Sequence, residues 1–343
     1  MKKIVISDPT LRDGNHAINH QLNLQQIKDY AIAADMAGIP IVEVGHGNGI
    51  GASSLQIGES AYCDKDILET ARLNLSRSKL GIHCMLGIAT INKDLRTALD
   101  IGVDVVRVAS HCTEADITKR HIDFVGGRGK EAYGCLMMTH LASTEVLINE
   151  CKKMESYGAQ AIILMDSAGT YLPRDVSVRM EAIVSELNIP IGFHAHNNLG
   201  LAIANSIAAV EAGVRILDGT ARGFGAGSGN AQLEVLVAVL EKMGYSTGID
   251  FYKLLDGSDI AEQCLLKDIP RIKPISIVSG LAGVFSGFTK HVERIALQYG
   301  VDSRDVFFEL GKKKVVGGQE DLIIEVAANL MERRLSESRN QAV

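Results

Sequence analysis

The stretch AQAIILMDSAGTYLPRDVSVRMEAIVSELNIPIGFHAH, residues 159–196, contains two apolar runs on either side of a longer amphipathic segment. The runs, 159–166 and 189–196, are rich in β-branched residues and have the length of strands. Between them, residues 174–187 carry apolar side chains at three- and four-residue steps, which is typical of a helix packed on a core. The stretch therefore predicts a strand, a helix and a second strand, the unit from which parallel sheets are built.

The same pattern recurs on both sides of this stretch. Eight apolar runs follow one another, about 30 residues apart, which is the length of one strand-helix unit. The runs are 3–7, 39–45, 80–86, 103–110, 132–138, 159–166, 189–196 and 214–221. Eight such units close into a (β/α)8 TIM barrel, which is the predicted fold. The alternative is an open doubly wound sheet, but that fold usually has a glycine-rich loop after its first strand, and this chain has Asp8-Pro9-Thr10 there.

The strand rhythm stops near Gly244, and the rest of the chain has mostly helical spacing. We predict helices over 253–267, 280–299, 303–310 and 319–335, followed by a polar tail over 336–343. The chain is thus divided into a TIM-barrel catalytic domain, residues 1–260, and a C-terminal helical domain, residues 261–343. Because the helical part is longer than the barrel needs for packing, it predicts a subunit or partner interface.

Composition excludes several classes of function. The formal net charge is −6 and no Lys/Arg run is longer than Lys312–Lys314, so the chain lacks the basic footprint of a nucleic-acid-binding protein. No stretch is apolar enough to predict a membrane span or a signal peptide. The six cysteines form no CxxC pair, which favours a reducing compartment. We expect a cytoplasmic protein that binds neither membranes nor nucleic acid.

In a TIM barrel the active site forms where the strands end, so polar residues at those points are candidates. His194 and His196 are two residues apart on the seventh run and therefore point to the same face. Two imidazoles and one carboxylate form a facial metal site with open positions, and Asp13 is the candidate carboxylate. An isolated HxH pair more often arises by chance or has a structural role in the core. Here the polar Asn197 and Asn198 follow the pair and indicate that it lies at the functional end of the strand.

Two more polar residues flank Asp13. Arg12 offers a fixed fork of donors that suits a developing enolate oxygen of a 2-oxo acid. His16 can exchange a proton near neutral pH. Taken alone, each residue favours a structural alternative: an ion pair of Arg12 with Glu43 or Asp8, and a solvated loop position for His16.

Seven motifs, in order along the chain, carry a resemblance to a known family. They are DPTLRDGNHA (8–17), HGNGIGASS (46–54), ASHCTEAD (109–116), MDSAG (165–169), HAHNNLG (194–200), GAGSGNAQLE (225–234) and VGGQEDLI (316–323). Nearly the whole chain resembles the 4-hydroxy-2-oxovalerate aldolases. These pyruvate aldolases belong to a wider group that includes isopropylmalate synthase and 3-hydroxy-3-methylglutaryl-CoA lyase.

The resemblance implies a carbon–carbon lyase that cleaves 4-hydroxy-2-oxopentanoate, or a related 4-hydroxy-2-oxo acid, reversibly to pyruvate and an aldehyde such as acetaldehyde. It also implies a role in aromatic hydrocarbon catabolism. A divalent metal, usually Mn²⁺ with Mg²⁺ or Co²⁺ as alternatives, would be held by three residues that also match the site reasoned above: Asp13, His194 and His196.

The resemblance also assigns roles to the residues around the metal. Arg12 would bind the substrate and stabilise the enolate, and His16 would take the proton from the C4 hydroxyl. Ser167 matches a pyruvate-contacting position, and His194 also lies at the substrate. Asn230 matches a position at or near the metal in the related CoA lyase, although a turn or cap role among the neighbouring glycines is equally open.

This sequence departs from the family pattern at two positions. Phe285 stands where relatives commonly have a tyrosine whose hydroxyl assists the reaction or orients the substrate. Asn48 stands where relatives often have aspartate. The metal ligands, Arg12 and His16 are retained, so we still expect carbon–carbon bond chemistry, with a changed preference for the aldehyde, a changed stereochemistry or a changed rate.

Family members usually work with an acylating acetaldehyde dehydrogenase that receives the aldehyde through a channel. The helical region resembles their partner-docking domain, so we expect such a partner, and an oligomer. Two other functions stay open. One is a Claisen-type condensing enzyme acting on an acyl-CoA and a 2-oxo acid; His16 counts against it, because such enzymes usually have glutamine there. The other is a metal-binding barrel that has lost its activity.

Overall fold

The structure, a computed structural model, describes residues 2–341. Eight parallel strands follow one another around a closed barrel, and β8 pairs with β1. The strands are β1 Val5–Leu11, β2 Ile41–Val44, β3 Lys79–Met85, β4 Val105–His111, β5 Glu131–Met137, β6 Ala161–Asp166, β7 Ile191–Ala195 and β8 Ile216–Asp218. The predicted TIM barrel is confirmed, and each of the eight strands overlaps one of the eight apolar runs.

One helix follows each strand and packs on the outside of the barrel. These helices are α1 Leu24–Ala37, α2 Asp64–Asn74, α3 Arg96–Ile101, α4 Lys119–Gly127, α5 Thr144–Ser156, α6 Pro173–Glu186, α7 Ala202–Glu211 and α8 Leu233–Lys242. A ninth helix, α9 Phe251–Ile260, packs against α1. Helix α1 shows how the sequence sets the bounds: Asn23 and Gln26 form a reciprocal capping box at its start, and Gly38 ends it in the left-handed conformation (φ 75°).

The first strand is longer than predicted. We placed its end before Asp8, but β1 continues through Pro9 and Thr10 to Leu11. Pro9 has no N–H to donate, and it lies where the register between β1 and β2 shifts, so no ladder bond is lost there. Asp8 compensates for its own burial by accepting hydrogen bonds from Thr10 and from the Tyr30 hydroxyl. As a result, Arg12 directly follows the strand at the barrel mouth.

The C-terminal region has a second hydrophobic core. Its helices are α10 Pro274–Ala282, α11 Thr289–Tyr299, α12 Ser303–Lys313 and α13 Asp321–Gln341. Val292, Phe307 and Ile323 belong to this core, and Ala261 and Leu265 pack with the barrel core instead. The division of the chain at residue 260 stays a prediction.

Two predictions for this region are wrong. The single helix expected over 280–299 is interrupted, because Gly283 leaves α10 in the left-handed conformation (φ 66°) and α11 begins only at Thr289. The polar tail expected over 336–343 continues α13 as far as Gln341, and residues 342 and 343 lie outside the described part of the chain. Between residues 2 and 341, no helix is long and apolar enough to cross a membrane.

Candidate active site

Three potential metal ligands meet at the mouth of the barrel. Asp13 begins a short 3₁₀ helix, Asp13–Ile18, that follows β1, while His194 lies on β7 and His196 directly after it. The Nε2 atoms of His194 and His196 lie 3.5 and 4.0 Å from Oδ2 of Asp13 and 3.4 Å from each other. All three side chains are buried. The structure thus brings together the residues that the sequence analysis selected from the ends of the first and seventh strands.

The charges of this cluster fit a cation. Burial alone would raise the pKa of Asp13, but Arg12 and the two histidines lower it well below its usual range. Burial lowers the pKa of His196 to about 4. Burial also opposes protonation of His194, yet its bonds to Asp13 and Asp218 outweigh this and raise its pKa to about 9. A divalent metal would take the place of that proton, since it binds carboxylate and neutral imidazole and leaves other coordination positions open.

A closed ring of charged and polar groups inside the barrel includes two members of the cluster, Asp13 and His194. His194 Nδ1 lies 2.8 Å from Oδ2 of Asp218, which also makes two 2.5 Å hydrogen bonds with Arg107. Arg107 Nε lies 3.0 Å from Oε2 of Glu43. Glu43 accepts a hydrogen bond from Nε of Arg12, whose Nη1 lies 3.0 Å from Asp13. The members in order are Arg12, Glu43, Arg107, Asp218, His194 and Asp13.

Sequence reasoning missed Arg107 and Asp218, although a signal was present. The apolar cluster inside the barrel includes Ile41, Val105 and Ile216. Two positions further along the same three strands, and therefore on the same face, stand the charged residues Glu43, Arg107 and Asp218. A single charged residue on the inner face of a buried strand needs a partner of opposite charge from another strand. Each of the three residues therefore indicated a layer of ion pairs next to the apolar cluster.

One nitrogen of the Arg12 guanidinium donates no hydrogen bond to the described residues. Its Nε bonds to Glu43, so the ion pair considered as a structural alternative exists, and its Nη1 reaches both Asp13 and the Gly47 carbonyl. Its Nη2 is buried without a hydrogen-bond partner among the described residues. A buried guanidinium N–H without an acceptor is costly, so this atom is suited to an anionic oxygen of a ligand.

His16 is part-buried in the 3₁₀ helix and lines a cavity of about 710 Å³ between the barrel mouth and the helical domain. Burial lowers its pKa to about 3, so its imidazole is neutral at physiological pH. Gly47 makes room for the ring, because a Cβ atom at this position would lie 2.6 Å from it. Asn48 and Phe285 line the same cavity.

Ser167 directly follows β6 at the barrel mouth, and Asn230 lies beside the cluster. The Ser167 hydroxyl accepts a hydrogen bond from the Met138 N–H (3.0 Å), and its carbonyl accepts one from the Ser286 N–H (3.0 Å). Asn230 forms a backbone bridge with His196, and its side-chain Oδ1 is buried without a partner in the described structure. A Cβ atom on Gly225 would lie 2.3 Å from Nδ2 of Asn230 and 3.1 Å from Oδ1 of Asp13, so Asn230 and Asp13 both face this glycine.

Phe285 lies in the break between α10 and α11. Its ring packs edge-to-face on Phe288, with 5.6 Å between the centroids. The segment that carries it is fixed to the barrel: the Gly283 carbonyl is 2.9 Å from His140 Nε2, and the Ser286 hydroxyl accepts a hydrogen bond from Asn198. The break that the sequence analysis missed therefore brings a part of the helical domain to the barrel mouth.

Comparison with known proteins shows that the barrel and the helical region each match a protein family. Residues 3–260 match the HMGL-like family, and residues 270–332 match the DmpG-like communication domain. The carboxyl transferase domain of Rhizobium etli pyruvate carboxylase, solved with pyruvate and biocytin, has a similar fold, with a TM-score of 0.81 over 97% of this chain and 61% of that one at 17% identity.

Two relatives match at much higher identity. The 4-hydroxy-2-oxovalerate aldolase of Spirochaeta aurantia is 60% identical over 96% of this chain and 97% of its own length. The enzyme of the same name from Pectobacterium atrosepticum is 58% identical over 97% of both chains. Both alignments span the barrel and the helical region, and the chain therefore belongs to the 4-hydroxy-2-oxovalerate aldolase family of carbon–carbon lyases.

Proposed function

We propose that this protein cleaves 4-hydroxy-2-oxopentanoate, or a closely related 4-hydroxy-2-oxo acid, to pyruvate and an aldehyde, acetaldehyde in the first case. The observation that carries the proposal is the cluster of Asp13, His194 and His196, whose ligand atoms all lie within 4.8 Å of one another. The names of the relatives support an aldol cleavage rather than a Claisen-type condensation or an inactive barrel.

The cluster is proposed to hold a divalent metal, Mn²⁺ in the first place, with Mg²⁺ or Co²⁺ as alternatives. A metal bound there supplies Lewis-acid chemistry, because it polarises the carboxylate and keto oxygens of a bound 2-oxo acid. Asn230 has a side-chain oxygen buried without a partner among the described residues, and its Nδ2 and Asp13 Oδ1 face the same glycine, Gly225, which supports a place for Asn230 at or beside the metal.

Arg12 and His16 are the proposed catalytic residues. His16 accepts the proton of the C4 hydroxyl, the C3–C4 bond breaks, the C4 oxygen becomes the carbonyl of the aldehyde, and the electron pair stays with the three-carbon fragment. The unpaired Nη2 of Arg12 donates to the oxygen on which negative charge then develops. C3 then takes up a proton from water, His16 gives its proton back to water, and the fragment leaves as pyruvate.

Ser167 and Phe285 are proposed to shape the rest of the site. Ser167 is buried between β6 and the segment that carries Phe285. This position supports the proposal that Ser167 contacts the pyruvate part of the substrate. Phe285 presents an apolar ring to the cavity in which the aldehyde part would lie. An apolar wall there favours an alkyl aldehyde and offers no hydrogen bond to its oxygen.

The helical region is the proposed docking site for an acylating acetaldehyde dehydrogenase, and we expect the protein to be an oligomer. The match of residues 270–332 to a communication domain supports a partner on this side. The cavity beside His16 is also lined by residues of this region, among them Lys273 and His291, so an aldehyde released there would lie next to it.

The experiment that tests the function is pyruvate release from 4-hydroxy-2-oxopentanoate, followed with lactate dehydrogenase, in protein freed of metal and then supplied with Mn²⁺. We expect turnover that depends on the added metal. Asp13→Ala should abolish both turnover and metal retention, whereas the exposed Asp256→Ala on α9 should change neither. Turnover of an acyl-CoA with a 2-oxo acid would instead favour the condensing enzyme, and metal binding without any turnover would favour the inactive barrel.

A further inference from the structure

Two consecutive residues directly after the 3₁₀ helix Asp13–Ile18 adopt a strained backbone. Asn19 (φ 56°) and His20 (φ 62°) are both left-handed, a conformation that residues other than glycine rarely adopt. Such strain persists only where the surroundings enforce it, and it concentrates at functional sites. The turn reverses the chain and returns His20 to the side of His16.

The ring of His20 lies between two other imidazoles. It meets His16 edge-on, with 5.1 Å between centroids and an interplanar angle of 70°. On its other side it stacks on His46, with 3.6 Å between centroids and an angle of 18°. His20 is only 6% exposed. The three rings thus form a contiguous stack whose outer member is the proposed base.

His20 also contacts Gly47, the residue whose carbonyl supports Arg12. Its Nδ1 accepts a hydrogen bond from the Gly47 N–H (3.3 Å), and the Gly47 carbonyl accepts one from Nη1 of Arg12 (3.2 Å). The Cα of Gly47 lies against the His16 ring. One residue, Gly47, therefore connects His20 with both proposed catalytic residues through the two peptide groups on either side of its Cα.

His46 fixes the far end of the stack. Its Nδ1 accepts a hydrogen bond from the Asn48 N–H (3.0 Å), so its Nε2 carries the proton and donates to the Gly58 carbonyl (3.0 Å). With both ring nitrogens bonded to backbone, the ring of His46 cannot rotate without losing two hydrogen bonds.

The helical domain holds the same turn from outside. Nζ of Lys290 on α11 donates to the carbonyls of His16 (3.1 Å) and Ala17 (2.9 Å) and to Oδ1 of Asn19 (2.6 Å). A cation at the C-terminal end of a helical turn is also electrostatically favourable. The strained turn is thus held by the stack on one side and by Lys290 on the other.

We propose that His20 is a positioning residue, which sets the orientation of the His16 ring by direct contact and that of the Arg12 guanidinium through the backbone of Gly47. The inference rests on the proposed function, because it assumes that His16 and Arg12 do the chemistry. Proton abstraction requires the base to be held in line with the C4 hydroxyl, so a loss of this support lowers kcat more than it weakens substrate binding.

Two variants separate the parts of this role. His20→Asn tolerates the left-handed backbone but has no ring for the stack. His20→Phe keeps an aromatic ring between His16 and His46 but loses the acceptor for the Gly47 N–H. His121→Asn, at a part-buried histidine on α4, is the matched control.

We expect His20→Asn to lower kcat by about 10- to 100-fold with KM changed by less than about 3-fold, and His20→Phe to recover part of the loss. The control should behave as the wild type. A second readout needs no turnover: in ¹H–¹³C spectra of protein labelled at the histidine Cε1, the signal of His16, assigned with His16→Gln, should move in His20→Asn and stay in place in His121→Asn.

The outcomes separate the inference from the proposed function. Wild-type protein without aldol cleavage would overturn the function, and the His16 signal would then decide whether His20 positions that ring. Active wild-type protein with an unchanged kcat in folded His20→Asn would overturn the inference alone. The inference would also be overturned if kcat fell equally in His20→Asn and His20→Phe and thermal melts showed that a smaller folded fraction accounts for both losses.

Discussion

Oδ2 of Asp218 lies 2.8 Å from Nδ1 of His194, on the side of the ring that faces away from Asp13. This contact fixes which nitrogen of His194 carries the proton and leaves Nε2 free for a metal, an arrangement that raises the basicity of the ligand. Asp218 is held in turn by two hydrogen bonds with Arg107. The proposed metal site therefore depends on Asp218, a residue that is not one of its three proposed ligands.

The first prediction concerns this contact. Asp218→Asn keeps the size of the side chain but removes its charge, so we expect Mn²⁺ affinity to fall by about 10- to 100-fold. Titration calorimetry of metal-free protein measures the change. Asp104→Asn, which removes a carboxylate from ion pairs with Arg72 and Lys130, is the control and should bind Mn²⁺ like the wild type. Unchanged affinity in folded Asp218→Asn would show that the contact is not needed for the metal.

The second prediction concerns the spare donor of Arg12. Arg12→Lys retains the positive charge but replaces a planar fork by a single ammonium, which cannot serve Glu43, Asp13 and a substrate oxygen together. We expect kcat to fall by about 100-fold or more, because one well-placed donor to a developing oxyanion is worth that much. Mn²⁺ affinity should stay within a few-fold of the wild type, since the ligands are unchanged. Arg96→Lys at the exposed start of α3 provides the comparison, and a kcat equal to it would refute the role.

The barrel could be predicted because its strands are buried on both faces. Such strands appear as near-continuous apolar runs, and the amphipathic helices between them have a different period. The end of β1 was not predicted, because Asp8 and Thr10 are polar and Pro9 has no N–H, so the apolar run stops before them. Only the contacts of Asp8 and Thr10 with Tyr30 and with each other show why the strand continues.

The candidate site was predictable where its residues stand close together in the chain. Arg12, Asp13 and His16 share one loop, and His194 and His196 share one strand end. The ring of charged groups that joins them was not predicted in the same way. Arg107 and Asp218 are 111 positions apart, and the sequence shows that each needs a partner without showing that they pair with each other. The break after α10 was hidden as well, because the helical spacing of apolar residues continues across it.

The third prediction follows from that break, which places Phe285 at the cavity. Phe285→Ala would enlarge the space next to the aldehyde part of the substrate. We expect the ratio of kcat/KM for 4-hydroxy-2-oxohexanoate to that for 4-hydroxy-2-oxopentanoate to rise by about 10-fold, the lower end of what one methylene contributes in an apolar pocket. Phe308→Ala on α12, at a ring that is 44% exposed, should leave the ratio unchanged. An unchanged ratio in Phe285→Ala would place the aldehyde elsewhere.

A fourth prediction concerns pH and the contact that fixes this segment to the barrel. His140 Nε2 lies 2.9 Å from the Gly283 carbonyl, and its Nδ1 is buried without a partner among the described residues. Burial lowers the pKa of His140 to about 4, whereas an unfolded chain restores the usual value near 6.5. Between these values the unfolded state binds the extra proton, so the free energy of unfolding must fall as the pH falls from 6.5 towards 4.

Replacing His140 by glutamine keeps a donor for the Gly283 carbonyl and removes the titrating group. We therefore expect urea unfolding at pH 7.5, 6 and 5 to give a stability that falls less steeply with acidification in His140→Gln than in the wild type, by at most about 1.4 kcal/mol per pH unit. The slope should not vanish, because burial also lowers the pKa of His46, to about 4. Above pH 7 both proteins carry neutral side chains here, so the difference between them should be constant. Equal slopes below pH 6.5 would mean that His140 binds its proton in the folded state as readily as in the unfolded chain.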